Sequence, residues 1–266
     1  CVTTHDYVSV VKRDYSGAQS VVAWGGEDDD PPVYGKVFIA IKPASGSVLS
    51  GSTKAWVRDA VLAKRNIVGV TPEIRDPDYL YLKINSTVKY DSGMTTNSAS
   101  TLKSTVTSSI VSYGLTQLKD FDKAFRYSNL IKKIDESEIS VKSNQTAVTI
   151  KRYMYPLLGS SSAYTLRFSN EVYHPSNNFW GAVTSGEFSY RDTANTLWDK
   201  CRIQDANGTV QVYRTSGQNR IIVDNDVGTI TYGSGKMDLL GFAPIGIGSA
   251  STGNTTALAV YVTPSS

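Results

Sequence analysis

The chain has 266 residues, of which 40% are hydrophobic and only 19% are charged, and it contains 16 Tyr and 4 Trp. This length permits one large domain or two domains of ordinary size, and a weakly charged, aromatic-rich composition is typical of subunits that contact neighbours over much of their surface. The net charge of +3 comes from scattered basic residues, which argues against nucleic-acid binding because that function concentrates Lys and Arg on one face.

Three further features of the sequence bound its class. No apolar run approaches the roughly 18 residues that a transmembrane helix needs, and no signal peptide is visible, so we expect no membrane partner. The two cysteines, Cys1 and Cys201, do not make a disulfide framework, although a disulfide between them stays open. Because the sequence opens without an initiator Met, we expect it to be part of a longer protein.

Residues 1–155 mix helical and strand patterns. The predicted elements are, in chain order, a helix over 6–13 capped by Thr3 or Thr4, strands over 19–24 and 36–42, a helix over 52–64 capped by Ser52 or Thr53, a strand over 79–90, helices over 99–118 and 127–134, and a strand over 147–153. This order predicts an α+β domain in which helices pack on a mixed sheet.

The strand over 79–90 has the clearest pattern in the chain. Leu80, Leu82, Ile84 and Val88 lie on one face, and they alternate with Tyr81 and the polar residues that follow it. A period of two that is sustained over this length is typical of a strand with one buried face. We therefore predict a half-buried strand at this point.

Residues 156–266 are rich in Gly, Ser and Asn and contain no good helical pattern. We predict a mostly β domain, a sandwich or a partial barrel, because turn residues separate many short strand-like runs. The Asn207-Gly208 pair favours a tight hairpin turn, since these residues tolerate positive φ. Strands are predicted over 164–168, 186–190, 201–204, 210–213, 228–232, 237–242 and 258–263.

Residues with catalytic chemistry are few. The chain has only two histidines, His5 and His174, and no G-x-S-x-G motif, so a hydrolase triad is hard to assemble. The acidic run from Glu27 to Asp30 has the oxygen ligands that Ca²⁺ takes, but it lacks the calcium-loop pattern and two prolines follow it, which favours a solvated loop. We predict no catalytic residue, no metal site and no cofactor, and whether an ion binds this loop stays open.

Carbohydrate binding is the main alternative that the residues leave open. The β-rich half contains three aromatic candidates for glycan contact, Trp180, Tyr190 and Trp198. Three carboxylates lie in the same segment and would serve a glycan-degrading enzyme, which is the weakest option: Glu187, Asp192 and Asp199. The simpler interpretation of the aromatic residues is packing in the core of a small β domain.

An ordered series of segments resembles a known family. The series consists of CVTTHDY at 1–7, GKVFIAIKPASG at 35–46, DPDYLYLK at 76–83 and FRYS at 125–128. Together these segments resemble the C-terminal region of the baseplate wedge protein of T-even-type contractile-tailed bacteriophages, a large relative of the baseplate J-like proteins. The resemblance covers residues 1–155 and is looser afterwards, where VGTITYGSGK at 227–236 is similar to a hairpin of marine relatives.

The resemblance implies a structural, non-enzymatic role in the virion, in the phage tail baseplate, which is assembled in the host cytoplasm. In the family, two copies pair within each wedge and join neighbouring wedges into a ring around the tail hub, so the implied partners are a second copy and other wedge proteins. A symmetric pair needs a self-complementary surface. Our candidates for it are Trp56, Tyr79, Tyr81 and Tyr113, and for each the alternative is a position in the core. A carbohydrate-binding or adhesin-like virion protein stays the runner-up.

Overall fold

A computed structural model describes residues 1–29, 31–176, 179–248 and 256–265. The α-helices of this part of the chain are Thr4–Asp14 (α1), Gly51–Trp56 (α2), Ala99–Gln117 (α3) and Tyr127–Asp135 (α4). Its strands are Ala18–Gly25 (β1), Lys36–Pro43 (β2), Thr71–Arg75 (β3), Tyr81–Tyr90 (β4), Val141–Met154 (β5), Ser162–Arg167 (β6), Trp180–Ser185 (β7), Phe188–Arg191 (β8), Leu197–Ala206 (β9), Thr209–Ser216 (β10), Asn219–Thr231 (β11), Lys236–Phe242 (β12), Pro244–Ile247 (β13) and Leu258–Val262 (β14). This content confirms the mixed α+β class.

The chain divides into two compact units. The first unit consists of Cys1–Asp78 and Val88–Asn144, and the second consists of Tyr79–Thr87 and Gln145–Ser266. Residues 79–87, which lie in the first half of the sequence, therefore group with the β-rich half. A boundary near residue 155 between two separate domains stays a prediction.

The core of the first unit lies between a three-stranded sheet and two helical segments. The strand order is β1-β2-β3, with β1 antiparallel and β3 parallel to β2. The buried apolar residues are Tyr7, Val11, Val21, Ile39, Ile41, Leu49, Val57, Val61 and Leu62. The predicted first helix is confirmed, and α1 begins after a capping box in which Thr3 and Asp6 each accept a hydrogen bond from the other residue's backbone N–H.

The helix after β2 departs from its prediction. Its N-cap is Ser50, whose Oγ accepts a hydrogen bond from the Thr53 N–H, so the predicted caps at Ser52 or Thr53 are wrong. α2 then continues as a π-helical turn over Val57–Leu62 and a 3₁₀ turn over Ala63–Arg65. Because a π-helical turn holds more residues than an α-helical turn, the apolar side chains of this segment do not keep the α-helical period.

β3 and the burial of both faces of β2 were not predicted. β3 has five residues, one of which is Pro72, and it pairs with β2 in parallel. In β2, Phe38 lies on the face opposite the alternating apolar residues Val37, Ile39 and Ile41 and is nevertheless fully buried. The Arg75 guanidinium covers its ring, 3.4 Å from the ring centroid. Arg75 is held there by an ion pair with Asp29 at 2.9 Å, so a charged side chain supplies the cover.

α3 and α4 are confirmed close to their predicted bounds. α3 begins after Ser98, whose side chain accepts a hydrogen bond from the Thr101 N–H. The buried residues of the two helices are Leu102, Val106, Tyr113, Leu130 and Ile134. The loop that follows α3 is tied to β1, because the Phe121 N–H donates to Ser20 Oγ at 3.2 Å.

The second unit is built on an eleven-stranded sheet. The strand order is β4-β5-β14-β7-β9-β10-β11-β12-β6, while β13 pairs with β8 off this path and β8 also pairs with β9. β4 and β5, which were predicted to share one sheet with β1 and β2, belong instead to this larger sheet. The main buried residues are Ile150, Leu166, Phe168, Val183, Phe188, Ile203, Val212, Ile230, Met237, Leu239, Phe242 and Val260. Its description as a sandwich or partial barrel stays a prediction.

The predicted hairpin turn at Asn207-Gly208 is confirmed. Both residues have positive φ, 49° and 90°, and they join β9 to β10 in antiparallel register. β7 and β13 were not predicted, because Gly181 in β7 and Pro244 in β13 interrupt the alternation that identifies a strand.

Candidate interaction surfaces

α3 carries a second stripe of residues on the side opposite its buried ones. Thr101, Ser104, Ser108, Val111 and Leu115 follow one another at spacings of three and four residues, so they share one face of the helix. All of them are exposed, Val111 by 54% and Leu115 by 65%. None is charged, although the solvent face of a helix is normally charged or strongly polar. We call these residues the α3 stripe.

The two predicted interface residues of the first unit differ in exposure. Trp56, at the end of α2, is 48% exposed, and its ring centroid lies 6.2 Å from that of Tyr15. Tyr113 is only 5% exposed, and its hydroxyl donates a hydrogen bond to the Arg126 carbonyl at 3.2 Å. Tyr113 is thus a core residue, and the exposed part of its helix is the α3 stripe.

The two predicted interface residues of the second unit belong to a patch of tyrosines and lysines. We call this patch the tyrosine–lysine surface, and it consists of Tyr79, Tyr81, Lys83, Lys151, Tyr153 and Tyr261. The Tyr81 ring lies 5.2 Å from that of Tyr153 and 6.1 Å from that of Tyr79. The ammonium of Lys151 lies over both Tyr81 and Tyr153, at 5.3 and 4.7 Å, and that of Lys83 lies over Tyr261 at 5.1 Å.

The tyrosine–lysine surface carries net positive charge. Lys83 and Lys151 contact aromatic rings, and within the described ranges neither forms an ion pair with a carboxylate. Burial raises the pKa of Tyr81, so its hydroxyl stays neutral at physiological pH. Tyr81 is nevertheless 39% exposed. An exposed tyrosine beside two lysines that have no carboxylate partner in those ranges suits a protein partner with acidic groups.

Of the three predicted glycan-contact residues, Tyr190 and Trp198 pair across β8 and β9, whereas Trp180 lies apart from them. Tyr190 is 6% exposed and packs in the core of the second unit. Trp198 is partly buried, and its indole N–H donates to Asp192 Oδ2 at 2.8 Å. In the sheet register Trp180 pairs with Ala206, eight residues beyond Trp198 along β9, a separation of about 26 Å along a strand. Of the three, only Trp180, at 56%, is largely exposed.

The Trp180 side chain borders a groove on the sheet. We call this the Trp180 groove; its volume is about 450 Å³, and it is lined by Trp180, Gln204, Thr215, Gln218, Arg220 and Ile222. The Arg220 guanidinium lies between two rings, 3.8 Å from the centroid of Trp180 and 4.4 Å from that of Tyr213. It also donates to Gln204 Oε1, while Gln204 Nε2 donates to Gln211 Oε1 at 3.1 Å.

The candidate catalytic carboxylates make local contacts. Glu187 forms an ion pair with Arg202 at 3.0 Å, and Asp199 accepts a hydrogen bond from Ser189 at 2.7 Å. Asp192 accepts hydrogen bonds from the Trp198 indole and from backbone N–H groups, which lower the pKa of this carboxyl. Asp192 thereby stabilises the turn between β8 and β9, while the other two carboxylates pair with single neighbouring side chains.

The metal-site and membrane predictions concern the acidic loop and the helices. Asp29 is engaged by Arg75, and Asp30 lies outside the described residues. In the ranges that the structure covers, no three His, Cys, Asp or Glu side chains are grouped so as to hold a metal ion. None of the helices in those ranges has the length and apolar character that crossing a bilayer requires.

His174 stacks on Tyr232, with 3.8 Å between the ring centroids.

Cys1 and Cys201 are both free thiols in the structure. Cys201 is fully buried in the core of the second unit, whereas Cys1 is partly exposed in the first. Burial raises the pKa of the Cys201 thiol to about 11. Since the thiolate is the reactive form, Cys201 is protected twice, by exclusion of reagents and by its protonation.

We expect one thiol per native chain to react rapidly with a chromogenic disulfide reagent at pH 8, and two after unfolding in guanidinium. At this pH about one Cys201 thiol in a thousand would be ionised in the folded chain. Absorbance at the end of the fast phase gives the count. Cys1→Ser should abolish the fast phase, and a fast phase that persists in this variant would contradict the burial of Cys201.

Sequence reasoning missed both the α3 stripe and Arg220. The stripe has a readable signal, because exposed Val111 and Leu115 repeat at helical spacing on the side opposite Leu102 and Val106. Arg220 has no such signal in the sequence, because it lies on β11 and reaches Trp180 of β7 across β9 and β10.

Comparison with known proteins identifies the family. A family model described as baseplate structural protein gp6, C-terminal domain I, matches residues 3–75, and the model of C-terminal domain III matches residues 78–153. Baseplate wedge protein gp6 of Enterobacteria phage T4 is 24% identical over 172 residues, which are 65% of this chain and 25% of that protein. This chain thus spans about a quarter of the length of its curated relative. It belongs to the gp6 family of baseplate structural proteins and carries C-terminal domains I and III of that family.

Proposed function

We propose that this chain pairs with a second copy of itself, and that this pairing joins baseplate wedges into a ring around the tail hub. Membership of a baseplate family supports the setting, a wedge of a virion tail. The exposed, uncharged α3 stripe is the observation that carries the pairing.

The α3 stripe has the properties that a two-fold contact requires. In such a pair the same surface occurs on both sides, so any charge on it would be present twice within one contact. The stripe has no charge, and its alternating spacing of three and four residues is that of helix–helix seams. Ser104 and Ser108 are small enough to let two helices approach closely, while Val111 and Leu115 supply apolar area to bury.

The tyrosine–lysine surface suits a different neighbour. A two-fold contact at Tyr79 and Tyr81 would bring Lys83 and Lys151 of both copies together, which is unfavourable. We therefore assign this surface to other wedge proteins with acidic groups. Trp56, half exposed in the first unit, is a further candidate contact.

The pairing is tested by sedimentation equilibrium of the chain at tens of micromolar. We expect a reversible dimer, and we expect Leu115→Glu to convert it to a monomer, because the substitution places two like charges in the seam. Leu240→Glu is a matched control: Leu240 is 66% exposed and Leu115 is 65% exposed, but Leu240 lies in the second unit.

Two outcomes would overturn this assignment. A strict monomer in the unsubstituted chain would show that this segment does not pair by itself. A dimer that resists Leu115→Glu, or one that Leu240→Glu weakens equally, would show that the α3 stripe is not the contact. Circular dichroism of both variants checks that they remain folded.

A further inference from the structure

The Trp180 groove combines an aromatic side chain with planar polar groups. Trp180 is 56% exposed, and although Arg220 stacks on its ring, much of the indole still faces solvent. An exposed indole offers a flat apolar surface for the C–H face of a sugar ring. Around it stand amide and hydroxyl groups from Gln204, Gln218 and Thr215, which both donate and accept hydrogen bonds, as sugar hydroxyls require.

Arg220 is fixed in this groove before any ligand arrives. The rings of Trp180 and Tyr213 sandwich its guanidinium, and Gln204 accepts one of its hydrogen bonds. Gln204 is itself 5% exposed and is oriented by Gln211. An arginine held in this way loses little side-chain freedom when it binds an anion, so binding is favoured by preorganisation.

The charge of Arg220 has no counterion in the structure. Throughout the described ranges, no carboxylate forms an ion pair with it, and the residues lining the groove include no Asp or Glu. A guanidinium without a partner prefers a carboxylate, which it binds through charge-assisted hydrogen bonds. The ligand that complements the whole groove is therefore a saccharide with an acidic group.

We propose that the Trp180 groove binds an acidic saccharide, with the indole of Trp180 against a sugar ring, Arg220 on a carboxylate, and the exposed Gln218 and Thr215 on hydroxyl groups. The volume of about 450 Å³ lies in the range of roughly 300–1,000 Å³ that is usual for small-molecule sites. This site goes beyond the structural role of the family. It also differs from the predicted glycan surface, because Tyr190 and Trp198 take no part in it.

The test is a titration of the chain with trigalacturonate, followed by isothermal calorimetry and by the indole N–H signals in two-dimensional NMR. We expect saturable binding, with the Trp180 signal shifting while that of Trp56 stays in place. Fully methyl-esterified trigalacturonate keeps the sugar rings without the charge and should bind at least about tenfold more weakly. Triglutamate presents carboxylates without sugar rings and should bind no better than the ester.

Substitutions connect the binding to the groove. Trp180→Ala and Arg220→Gln should each weaken trigalacturonate binding at least about tenfold, and Trp180→Phe, which keeps an aromatic ring, should weaken it by less than about threefold. Trp56→Ala is the matched control, since Trp56 is a half-exposed tryptophan in the first unit, and it should have no effect. If Trp180→Ala unfolds the chain, Gln218→Ala at an exposed lining position replaces it.

Several results would overturn the proposal. The first is an absence of saturable binding up to about 10 mM, a concentration above the weak end of specific affinities. The second is equal binding of the ester, which would remove the role of Arg220. The third is equal binding of triglutamate, which would make the groove a site for an acidic peptide. Binding that survives both Trp180→Ala and Arg220→Gln would place the saccharide elsewhere.

Discussion

Replacement of Asp205 by alanine is expected to lower the free energy of unfolding of the second unit by about 4 kcal/mol, because it removes a fully buried carboxylate and leaves its donors unpaired. Oδ1 of Asp205 accepts hydrogen bonds from the backbone N–H groups of Gly181 and Val183, at 2.9 and 2.8 Å. Oδ2 accepts a hydrogen bond from the Tyr232 hydroxyl at 3.0 Å. One side chain thereby holds the irregular stretch of β7 and the residue after β11.

Tyr232 connects Asp205 to the hairpin turn between β9 and β10. Its hydroxyl oxygen accepts a hydrogen bond from the Gly208 N–H at 2.9 Å, while its O–H donates a hydrogen bond to Asp205 Oδ2. Burial raises the pKa of Tyr232 to about 12, so this hydroxyl remains a donor at every pH at which the protein would be handled. Loss of Asp205 should therefore disturb the turn as well as β7.

Urea unfolding followed by circular dichroism and tryptophan fluorescence measures this effect. Asp226→Ala, at an exposed position of β11, is the control and should change the unfolding free energy by less than about 0.5 kcal/mol. A loss below about 1 kcal/mol for Asp205→Ala, which is the scale of one ordinary hydrogen bond, would mean that water replaces the carboxylate.

Replacement of Gly228 by alanine is expected to destabilise the second unit by about 3 kcal/mol, through overpacking and backbone strain. A Cβ at this position would lie 2.1 Å from the Asp238 carbonyl oxygen and 2.8 Å from Leu239 Cα. Gly228 pairs with Val210 on one side and with Leu239 on the other. Both neighbours are fully buried, so neither strand can move away without opening the core.

Gly233→Ala is the matched control for Gly228→Ala. A Cβ on Gly233, in the turn between β11 and β12, would meet no atom within 4 Å, so we expect a change of less than about 1 kcal/mol, in the stabilising direction if the unfolded chain loses freedom. The midpoints of thermal unfolding of the two variants give the comparison. Equal midpoints would show that β11 and β12 can separate at this point without cost.

The parts of the fold that could be predicted from the sequence are those that neighbouring residues determine. Thr3 and Asp6 specify the start of α1, and Asn207-Gly208 specifies the turn between β9 and β10, because their hydrogen bonds and dihedral angles are local. Membership of a sheet is not local. Alternation in β4 predicts a strand but not its partner, so β4 and β5 were assigned to the wrong sheet.

The same distinction holds for the candidate sites. The α3 stripe could have been read from helical spacing alone, whereas a search for one apolar face ends once Leu102, Val106 and Tyr113 have been found. Trp180 was a candidate for glycan contact, a role that stays a prediction, and it is exposed rather than packed in the core. Its neighbour Arg220 comes from β11 and reaches it across the sheet, and no pattern within either segment indicates that meeting. The exposure of individual tyrosines could not be predicted either. Tyr113 and Tyr190 lie in the core, whereas Tyr81, the same residue type, is exposed.

The position of β14 in the sheet has a consequence for biosynthesis. β14 lies between β5 and β7, pairing with the former through Leu258–Val262 and with the latter through Val260–Val262. While the ribosome is still making the intervening strands, β5 and β7 have no bridge between them, and their inner edges stay open to other nascent chains. The sheet closes only when residue 262 emerges. Folding of this unit is therefore a late event in translation, and premature termination before β14 would leave two unfinished edges that invite aggregation on the polysome.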